Sequence, residues 1–188
     1  MNSTIKIAGH RGYKDKAVEN SKQAFLKAIE EKLDYIEFDV RKTLDNIPVI
    51  FHDENLSRML KGNKGKIQEF ALDQLKKFNY EDGQKILTLE DLFSMTHGKI
   101  GYILDLKVMG IESKILELVR KYKIENQIIL QSKYKKVIIR FHSLAPDLSY
   151  ALYRGFMGKL GKFGKVLRFN QILALIYYYK DIKSCPIE

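Results

Sequence analysis

Residues 35–40 read Tyr-Ile-Glu-Phe-Asp-Val, and this stretch decides the fold class. Apolar residues alternate there with two carboxylates, Glu37 and Asp39, which is typical of a β-strand. Side chains two apart on a strand point to the same face, so the two carboxylates lie together and repel unless a cation or a shared proton compensates. For an isolated pair, the commoner arrangement is a carboxylate that faces solvent or pairs with Arg11 or Lys107.

Other short β-branched runs flank this strand and alternate with longer amphipathic stretches. The predicted strands are 4–8, 35–40, 48–51, 99–106, 127–131 and, less regular, 150–153. The predicted helices are 20–32, 72–78, 89–96, 111–122 and 135–144. Asn20 is the predicted N-cap of the first helix, and Thr88 with Asp91 predicts a capping box for the third. The alternation predicts βα units around a parallel sheet.

Further polar side chains follow the other predicted strands. His10 and Arg11 come after the first, His52 after the third, and Asp105 lies on the fourth, two residues before Lys107. Parallel α/β barrels collect distant residues on one face in this way, at the carboxyl ends of their strands. Together with Glu37 and Asp39 on the second strand, Asp105 makes a set of three carboxylates. Three oxygen donors favour a hard cation, Mg²⁺ or Ca²⁺, over zinc.

The two histidines suit proton transfer on either side of such a site. A single histidine in a small domain is more often structural, but His10 and His52 each adjoin a charged residue at a strand end. Imidazoles titrate near neutrality, so one can accept a proton and the other can donate one. The guanidinium of Arg11 can hold two phosphate oxygens, or pair with Glu37, or do both. His97 and His142 lie on predicted helices and are expected to be bystanders.

The 188 residues suit one domain and carry a formal net charge of +10, most of it in residues 133–188, which hold 11 basic and 3 acidic side chains. This charge fits phosphoesters, anionic lipid surfaces and nucleic acid alike. The single Cys185 excludes an internal disulfide and favours a reducing compartment. The start lacks a secretory pattern, and no apolar stretch reaches the roughly 18 residues of a membrane span, so we expect a cytoplasmic protein.

Residues 156–180 form a basic, aromatic-rich segment at the C-terminal end of the sequence. Lysine and arginine recur there about every three residues with phenylalanines between them, but no nucleic-acid-binding motif accompanies them. A solvated helix face is the favoured interpretation, a peripheral contact with an anionic membrane is the next, and no nucleic-acid partner is expected.

Several segments in order and spacing resemble the glycerophosphodiester phosphodiesterase family. They are H-R-G (10–12), E-N (19–20), I-E-F-D-V (36–40), P-V-I-F-H-D (48–53) and L-T-L-E-D (87–91). The resemblance covers about residues 5–147 and implies a TIM-type barrel. It also implies hydrolysis of glycerophosphodiesters to glycerol 3-phosphate and an alcohol with a divalent cation.

By this resemblance, each site residue has a role. His10 and His52 match the acid/base pair, Arg11 the phosphate contact, and Lys107 a cation that holds charge developing on the phosphoryl group. The metal ligands are Glu37, Asp39 and Asp105. The third ligand is usually glutamate in the family, so Asp105 is one methylene shorter than expected, as in the related sphingomyelinase D branch.

The resemblance fails near the C-terminus. The family's later Trp-Thr-x-Asn and Thr-Asp-x-Pro strand ends are absent, and the chain contains no Trp. We therefore expect one domain over 1–188 with residues 156–188 atypical, and an incomplete barrel that lacks its last one or two strands. Missing strands leave exposed edges. We expect residues 156–179 to form a helix that covers the gap in the barrel, contacts a second copy in a homodimer or contacts a membrane.

Two classes of function remain at this point. The leading hypothesis is a metal-dependent phosphodiesterase acting on a glycerophosphodiester or lysophospholipid, with either water or a substrate hydroxyl as the attacking group. The alternative is a non-catalytic protein that keeps the constellation and binds a phospho-headgroup or a membrane surface. The survival of every acid/base and metal residue favours the enzyme, and the missing strands favour the alternative.

Overall fold

The computed structural model describes residues 6–152 and 177–178. Within them, strands and helices alternate as predicted, and the strands form one seven-stranded sheet. The strands are β1 (Ile7–His10), β2 (Tyr35–Lys42), β3 (Pro48–Ile50), β4 (Gly101–Leu106), β5 (Ile128–Ser132), β6 (Ser149–Leu152) and β7 (Tyr177–Tyr178). The helices are α1 (Lys22–Glu30), α2 (Leu72–Leu75), α3 (Leu89–Thr96), α4 (Glu112–Lys121) and α5 (Lys135–Leu144).

Six strands are parallel and lie in the order β6-β5-β4-β2-β1-β7. Between successive parallel strands from β1 to β6 the chain passes through at least one helix, as a barrel of βα units requires. In the described residues, this architecture is an incomplete TIM-type barrel. The fold class predicted from the sequence is confirmed.

The strands have two different faces. The outward residues of β2, β4 and β5 pack against the helices in the main hydrophobic core, where Phe38 contacts Phe25 and Tyr102 edge to face. On the inward face, a small apolar cluster (Ala8, Ile103, Ile129, Ala151) lies below a polar row. In that row Asp39 on β2 pairs in register with Asp105 on β4. The barrel interior therefore becomes polar toward the carboxyl ends of its strands.

The third strand runs in the opposite direction from the one we expected. A sheet of βα units predicts β3 parallel to its neighbours, but Pro48–Ile50 pairs antiparallel with the end of β2, Val40 opposite Ile50. Only a turn of a few residues joins β2 to β3, too short for the crossover that a parallel pair needs. The hairpin folds back, so that Phe51 donates its backbone N–H to Asp39 at 3.0 Å and His52 follows at the site edge.

The helix starts confirm one predicted cap and correct the other. Thr88 and Asp91 form the expected capping box at α3, with both hydrogen bonds at 3.0 Å. At α1 the N-cap is Ser21, whose hydroxyl accepts from Ala24, and not Asn20. Asn20 has a φ of 57° and lies just before the helix, so its side chain is released from capping.

A second hydrophobic cluster lies under the long connection between β3 and α3. Its members are Val49, Phe51, Leu56, Leu60, Ile67, Leu75, Tyr80 and Ile86, all buried. Phe51 and Tyr80 stack at a centroid distance of 6.4 Å. This cluster holds the segment that carries His52, Asp53 and Arg58 against the barrel, although residues 53–66 contain almost no regular secondary structure.

Most of the helix predicted over 156–179 lies outside the described residues. Two of its residues are described, and there the prediction is wrong: Tyr177 and Tyr178 form a strand parallel to Ile7 and Ala8. The edge of β1 is therefore paired, as a barrel strand's edge should be. None of the helices in the described part of the chain is long and apolar enough to span a membrane.

Candidate active site

Three buried carboxylates form the centre of the site. Glu37, Asp39 and Asp105 are 2%, 1% and 4% exposed. One carboxylate oxygen from each lies within 4.8 Å of the others. Glu37 and Asp39 share the inward face of β2, and parallel pairing of β2 with β4 brings Asp105 beside Asp39. Three hard oxygen donors this close match the chemistry of a divalent-cation site.

The charges of the three carboxylates are distributed unevenly. Burial, followed by repulsion from Asp39 and Asp105, raises the pKa of Glu37 well above its usual value, so that proton uptake by Glu37 relieves the cluster. Burial would also raise the pKa of Asp39, but the Lys107 ammonium and the Asn20 hydrogen bond outweigh it and lower this pKa. Asp39 is thus held ionised.

Lys107 bridges the two strands. Its Nζ lies 2.9 Å from Asp39 Oδ1 and also forms a salt bridge with Asp105. Burial opposes the charged form of Lys107, but the two carboxylates overcome it and raise its pKa. A fixed ammonium next to the cluster can attract an anionic group to the same place.

His10 ends β1 on one side of the cluster. Its Nε2 is 3.9 Å from Glu37 Oε2, and its Nδ1 is 2.7 Å from Lys14 Nζ. Burial, with the Lys14 and Arg11 charges, lowers the pKa of His10 to about 4. The imidazole is therefore neutral at physiological pH, and Nδ1 accepts from the Lys14 ammonium, which leaves the ring proton on Nε2.

His52 lies on the other side and is held from both ends. Its Nδ1 is 2.5 Å from Asp53 Oδ1, and its backbone carbonyl accepts from Arg41 Nε at 2.8 Å. Arg58 pairs with Asp53 and, through Nη2, with Glu19 at 2.5 Å. A carboxylate on Nδ1 fixes the tautomer and orientation of an imidazole and leaves Nε2 for proton exchange.

Arg11 belongs to the same network. Its Nη1 donates to both oxygens of Glu19 at 3.0 Å, and its Nε lies 3.3 Å from Asp39 Oδ2. Of the two roles that the sequence left open for its guanidinium, the salt bridge with Glu37 is not formed: Glu37 accepts from the backbone N–H of Arg11 instead, at 2.9 Å. Arg11 has a φ of 55°, which turns this N–H toward the carboxylate.

The structure brings all seven predicted site residues to one end of the barrel. They are His10, Arg11, Glu37, Asp39, His52, Asp105 and Lys107. Sequence reasoning missed Asn20, whose Nδ2 donates to Asp39 Oδ2 at 2.9 Å, and Arg58. Asn20 could have been predicted as a site residue, because it belongs to the E-N segment of the family resemblance. Arg58 lies in a polar stretch that contains no recognisable motif.

This constellation defines a class of protein. An α/β barrel with a carboxylate cluster, flanking imidazoles and fixed guanidinium and ammonium groups at the carboxyl ends of its strands can hold a divalent cation and a phosphate group and can transfer protons beside them. A family model described as the glycerophosphoryl diester phosphodiesterase family matches residues 10–152. The chain belongs to this family, and the resemblance found in the sequence is confirmed.

Individual relatives agree with this assignment. The glycerophosphodiester phosphodiesterase of Bacillus altitudinis is 29% identical over 161 residues, which cover 78% of this chain and 65% of that protein. The crystal structure of glycerophosphodiester phosphodiesterase from Agrobacterium tumefaciens superimposes with a TM-score of 0.74 at 26% identity, covering 78% of this chain and 66% of the other. The chain thus spans about half to two thirds of the length of the curated relatives that it matches.

A third similar protein has been solved with a ligand. It is an Oleispira antarctica phosphodiesterase in complex with the product sn-glycerol-3-phosphate. That structure has a TM-score of 0.71 and 25% identity, covering 77% of this chain and 64% of the other.

Proposed function

We propose that this chain is a metal-dependent glycerophosphodiester phosphodiesterase that forms glycerol 3-phosphate and an alcohol. Membership of the family and the similar Oleispira protein with its bound product support this substrate class. The single observation that carries the proposal is the carboxylate cluster with a histidine on each side, at the carboxyl ends of the strands.

The donors present fit a hard divalent cation, Mg²⁺ or Ca²⁺. Glu37, Asp39 and Asp105 would hold it, since uncompensated carboxylates this close and this buried repel one another. When bound, such a cation polarises a phosphoryl oxygen and offsets the negative charge that develops on it. Lys107 adds a fixed positive charge at the same point and would stabilise that phosphoryl charge.

The two histidines would divide the proton transfers. His52, with Nδ1 bonded to Asp53, has Nε2 as its accepting atom and is the proposed base for the attacking hydroxyl. His10 is the proposed donor to the leaving alkoxide: its Nε2 proton passes to the alkoxide as Nδ1 takes a proton from the Lys14 ammonium 2.7 Å away, so the ring stays neutral. The attacking hydroxyl belongs to water or to the substrate's own glycerol.

Arg11 is the proposed phosphate contact, and Glu19 and Arg58 are positioning residues. The guanidinium of Arg11 is held by Glu19 and lies beside Asp39, so it is already oriented toward the cluster. Arg58 links Glu19 to Asp53 and so joins the orientation of Arg11 to that of His52. Pre-oriented groups lower the entropic cost of reaching the transition state.

Hydrolysis of glycerophosphocholine tests the proposal. We expect release of glycerol 3-phosphate and choline that stops with EDTA and returns with excess Mg²⁺ or Ca²⁺. His10→Ala and His52→Ala should each lower kcat by roughly 10²- to 10⁴-fold with the fold intact by circular dichroism. His97→Ala is the matched control, because His97 is exposed at the end of α3 and its ring contacts that of Tyr122 rather than a site residue.

Three results would count against this function. Full activity in EDTA would show that catalysis needs no divalent cation. Wild-type activity of either site-histidine variant would show that this histidine does not carry out the proton transfer proposed for it. Binding of cation and glycerol 3-phosphate without turnover of any diester would favour the non-catalytic alternative.

A further inference from the structure

Three neighbouring loops at the carboxyl ends of the strands each present a large apolar side chain to solvent. The loops follow β2, β4 and β5, which lie next to one another in the sheet. Leu44, Met109 and Tyr134 are 62%, 47% and 47% exposed. Six large hydrophobic residues are exposed in the part of the chain that the structure describes, so half of them lie on these three loops.

Hydrogen bonds between the loops bring these side chains to one rim of the barrel. Lys114 Nζ, in the first turn of α4, donates to the Asp45 carbonyl at 3.4 Å and joins the loop after β4 to the turn after β2. Ser132 Oγ donates to the Leu106 carbonyl at 2.7 Å and accepts from the Tyr134 N–H at 3.1 Å, which joins the loop after β5 to the end of β4. We call this continuous surface, formed by residues 42–46, 108–114 and 133–136, the loop-tip surface.

The loop-tip surface is basic. Its two acidic residues are already bonded within the protein: Glu112 is buried and accepts from the Gly110 N–H, and Asp45 accepts from the Leu72 N–H. Its five lysines are Lys42, Lys114, Lys133, Lys135 and Lys136. The last three are exposed, and no salt bridge within residues 6–152 and 177–178 involves them. The surface therefore attracts anions.

Exposed apolar side chains set among lysines fit an anionic lipid surface better than the other anionic partners. Tyrosine and aliphatic side chains enter the headgroup region of a bilayer, and each lysine near anionic lipid strengthens binding about fivefold. Single-stranded nucleic acid stacks its bases on aromatic or arginine side chains, and this surface offers one tyrosine and no arginine. Protein interfaces are depleted in lysine.

We propose that the loop-tip surface docks the protein on an anionic lipid membrane. Leu44, Met109 and Tyr134 enter the headgroup region, and the lysines pair with lipid phosphates. This surface is separate from the basic segment 156–180, where the sequence left a membrane contact open. The loops lie at the barrel end that carries the carboxylate cluster, so docking turns that end toward the membrane. The proposal needs no turnover and is independent of the proposed phosphodiesterase function.

Flotation with lipid vesicles tests the docking. In low salt, we expect the protein to float with phosphatidylcholine vesicles that contain about one third phosphatidylglycerol, and to stay in solution with pure phosphatidylcholine. About 1 M NaCl should release it, because the Debye length is then about 3 Å.

A pair of matched double variants tests the apolar contacts. Leu44→Ser/Met109→Ser should lower partitioning onto the anionic vesicles by at least about tenfold. Leu26→Ser/Leu144→Ser, on α1 and at the far end of α5, removes two equally exposed types of side chain and should partition like wild type. Both variants should keep the wild-type kcat/KM for glycerophosphocholine, which is soluble.

A pair of triple variants with the same net charge tests the lysines. Lys133→Glu/Lys135→Glu/Lys136→Glu should lower partitioning by about a hundredfold or more. Lys32→Glu/Lys99→Glu/Arg120→Glu changes exposed residues at the opposite end of the barrel, before β2, before β4 and at the end of α4. This control should lose much less.

A fluorescent reporter locates the contact, because the chain contains no Trp. In Tyr134→Trp the single indole should leave water when anionic vesicles are added, so its emission should shift to shorter wavelength and be quenched by brominated lipid. In Leu26→Trp neither change is expected.

Several results would overturn the docking surface. They are equal binding to pure phosphatidylcholine, no binding to anionic vesicles, wild-type partitioning of Leu44→Ser/Met109→Ser, or an equal loss in either control. Binding of single-stranded RNA through the three lysines, without vesicle binding, would assign the surface to nucleic acid instead. Flotation without hydrolysis of any diester would sink the proposed function alone, and hydrolysis without flotation would sink the docking alone.

Discussion

At the scale of single residues, Glu37 bears much of the cost of gathering three carboxylates in one buried place. Its pKa is raised above the usual 4.5 by burial and by its two neighbours. A group whose pKa is higher in the folded state stabilises the fold below its unfolded pKa and loses that contribution as pH rises through the folded value. In the metal-free protein, the Glu37 contribution to stability therefore falls as pH rises above about 4.5.

Glu37→Gln should reveal this cost. The amide keeps an oxygen that can accept from the Arg11 N–H but cannot ionise, so with EDTA the variant should be more stable than wild type near pH 8. The difference should shrink toward pH 4.5, measured by urea unfolding across this range. Glu90→Gln, at an exposed carboxylate on α3, is the control and should change stability little at either pH. A variant less stable than wild type near pH 8 would contradict this account of the cluster.

At the scale of elements, the turn between β1 and α1 places both His10 and Arg11. Gly12 has a φ of +75° and donates its N–H to the Glu37 carbonyl at 3.1 Å. A Cβ at this position would lie 2.8 Å from the backbone carbon of Ala24 in α1. The strand and the helix therefore approach each other closely only because residue 12 has no side chain.

Gly12→Ala should cost about 3 kcal/mol of unfolding free energy, because left-handed strain and overpacking add together. Gly83→Ala is the matched control: its φ is +82°, and a Cβ there meets nothing within 4 Å. The control should lose only the strain, about 1 kcal/mol. Urea unfolding of both variants measures the difference. Equal losses would mean that α1 moves away freely and that the close approach is not required.

At the scale of the whole molecule, the carboxylate cluster joins β2 to β4 in the middle of the sheet. A cation held there binds the folded chain and not the unfolded one, which stabilises the fold by about 2.7 kcal/mol at a concentration of 100 Kd. For a chain of this length, Tm should rise by roughly 5–10 °C. Thermal unfolding with Mg²⁺ or Ca²⁺, and then with EDTA, measures the rise and its reversal.

The same measurement on Glu37→Gln shows whether the cation acts at this cluster. The variant has one fewer anionic donor, so its Tm should rise much less at the same cation concentration. A rise equal to that of wild type would place the stabilising cation elsewhere on the protein.

The sequence by itself determined the class of fold and most of the candidate site. Alternation in residues 35–40 placed Glu37 and Asp39 on one face, and strand-end positions predicted that His10, His52 and Asp105 lie near them. Such predictions succeed because side-chain direction in a strand and the common edge of parallel strands depend only on local periodicity and on chain order.

Only the tertiary structure decided how the parts meet. It moved Asn20 from a helix cap to a hydrogen bond with Asp39, and it joined Glu19 to Asp53 through Arg58. Each of these depends on a pairing between residues distant in sequence, and many alternative pairings have similar local preferences.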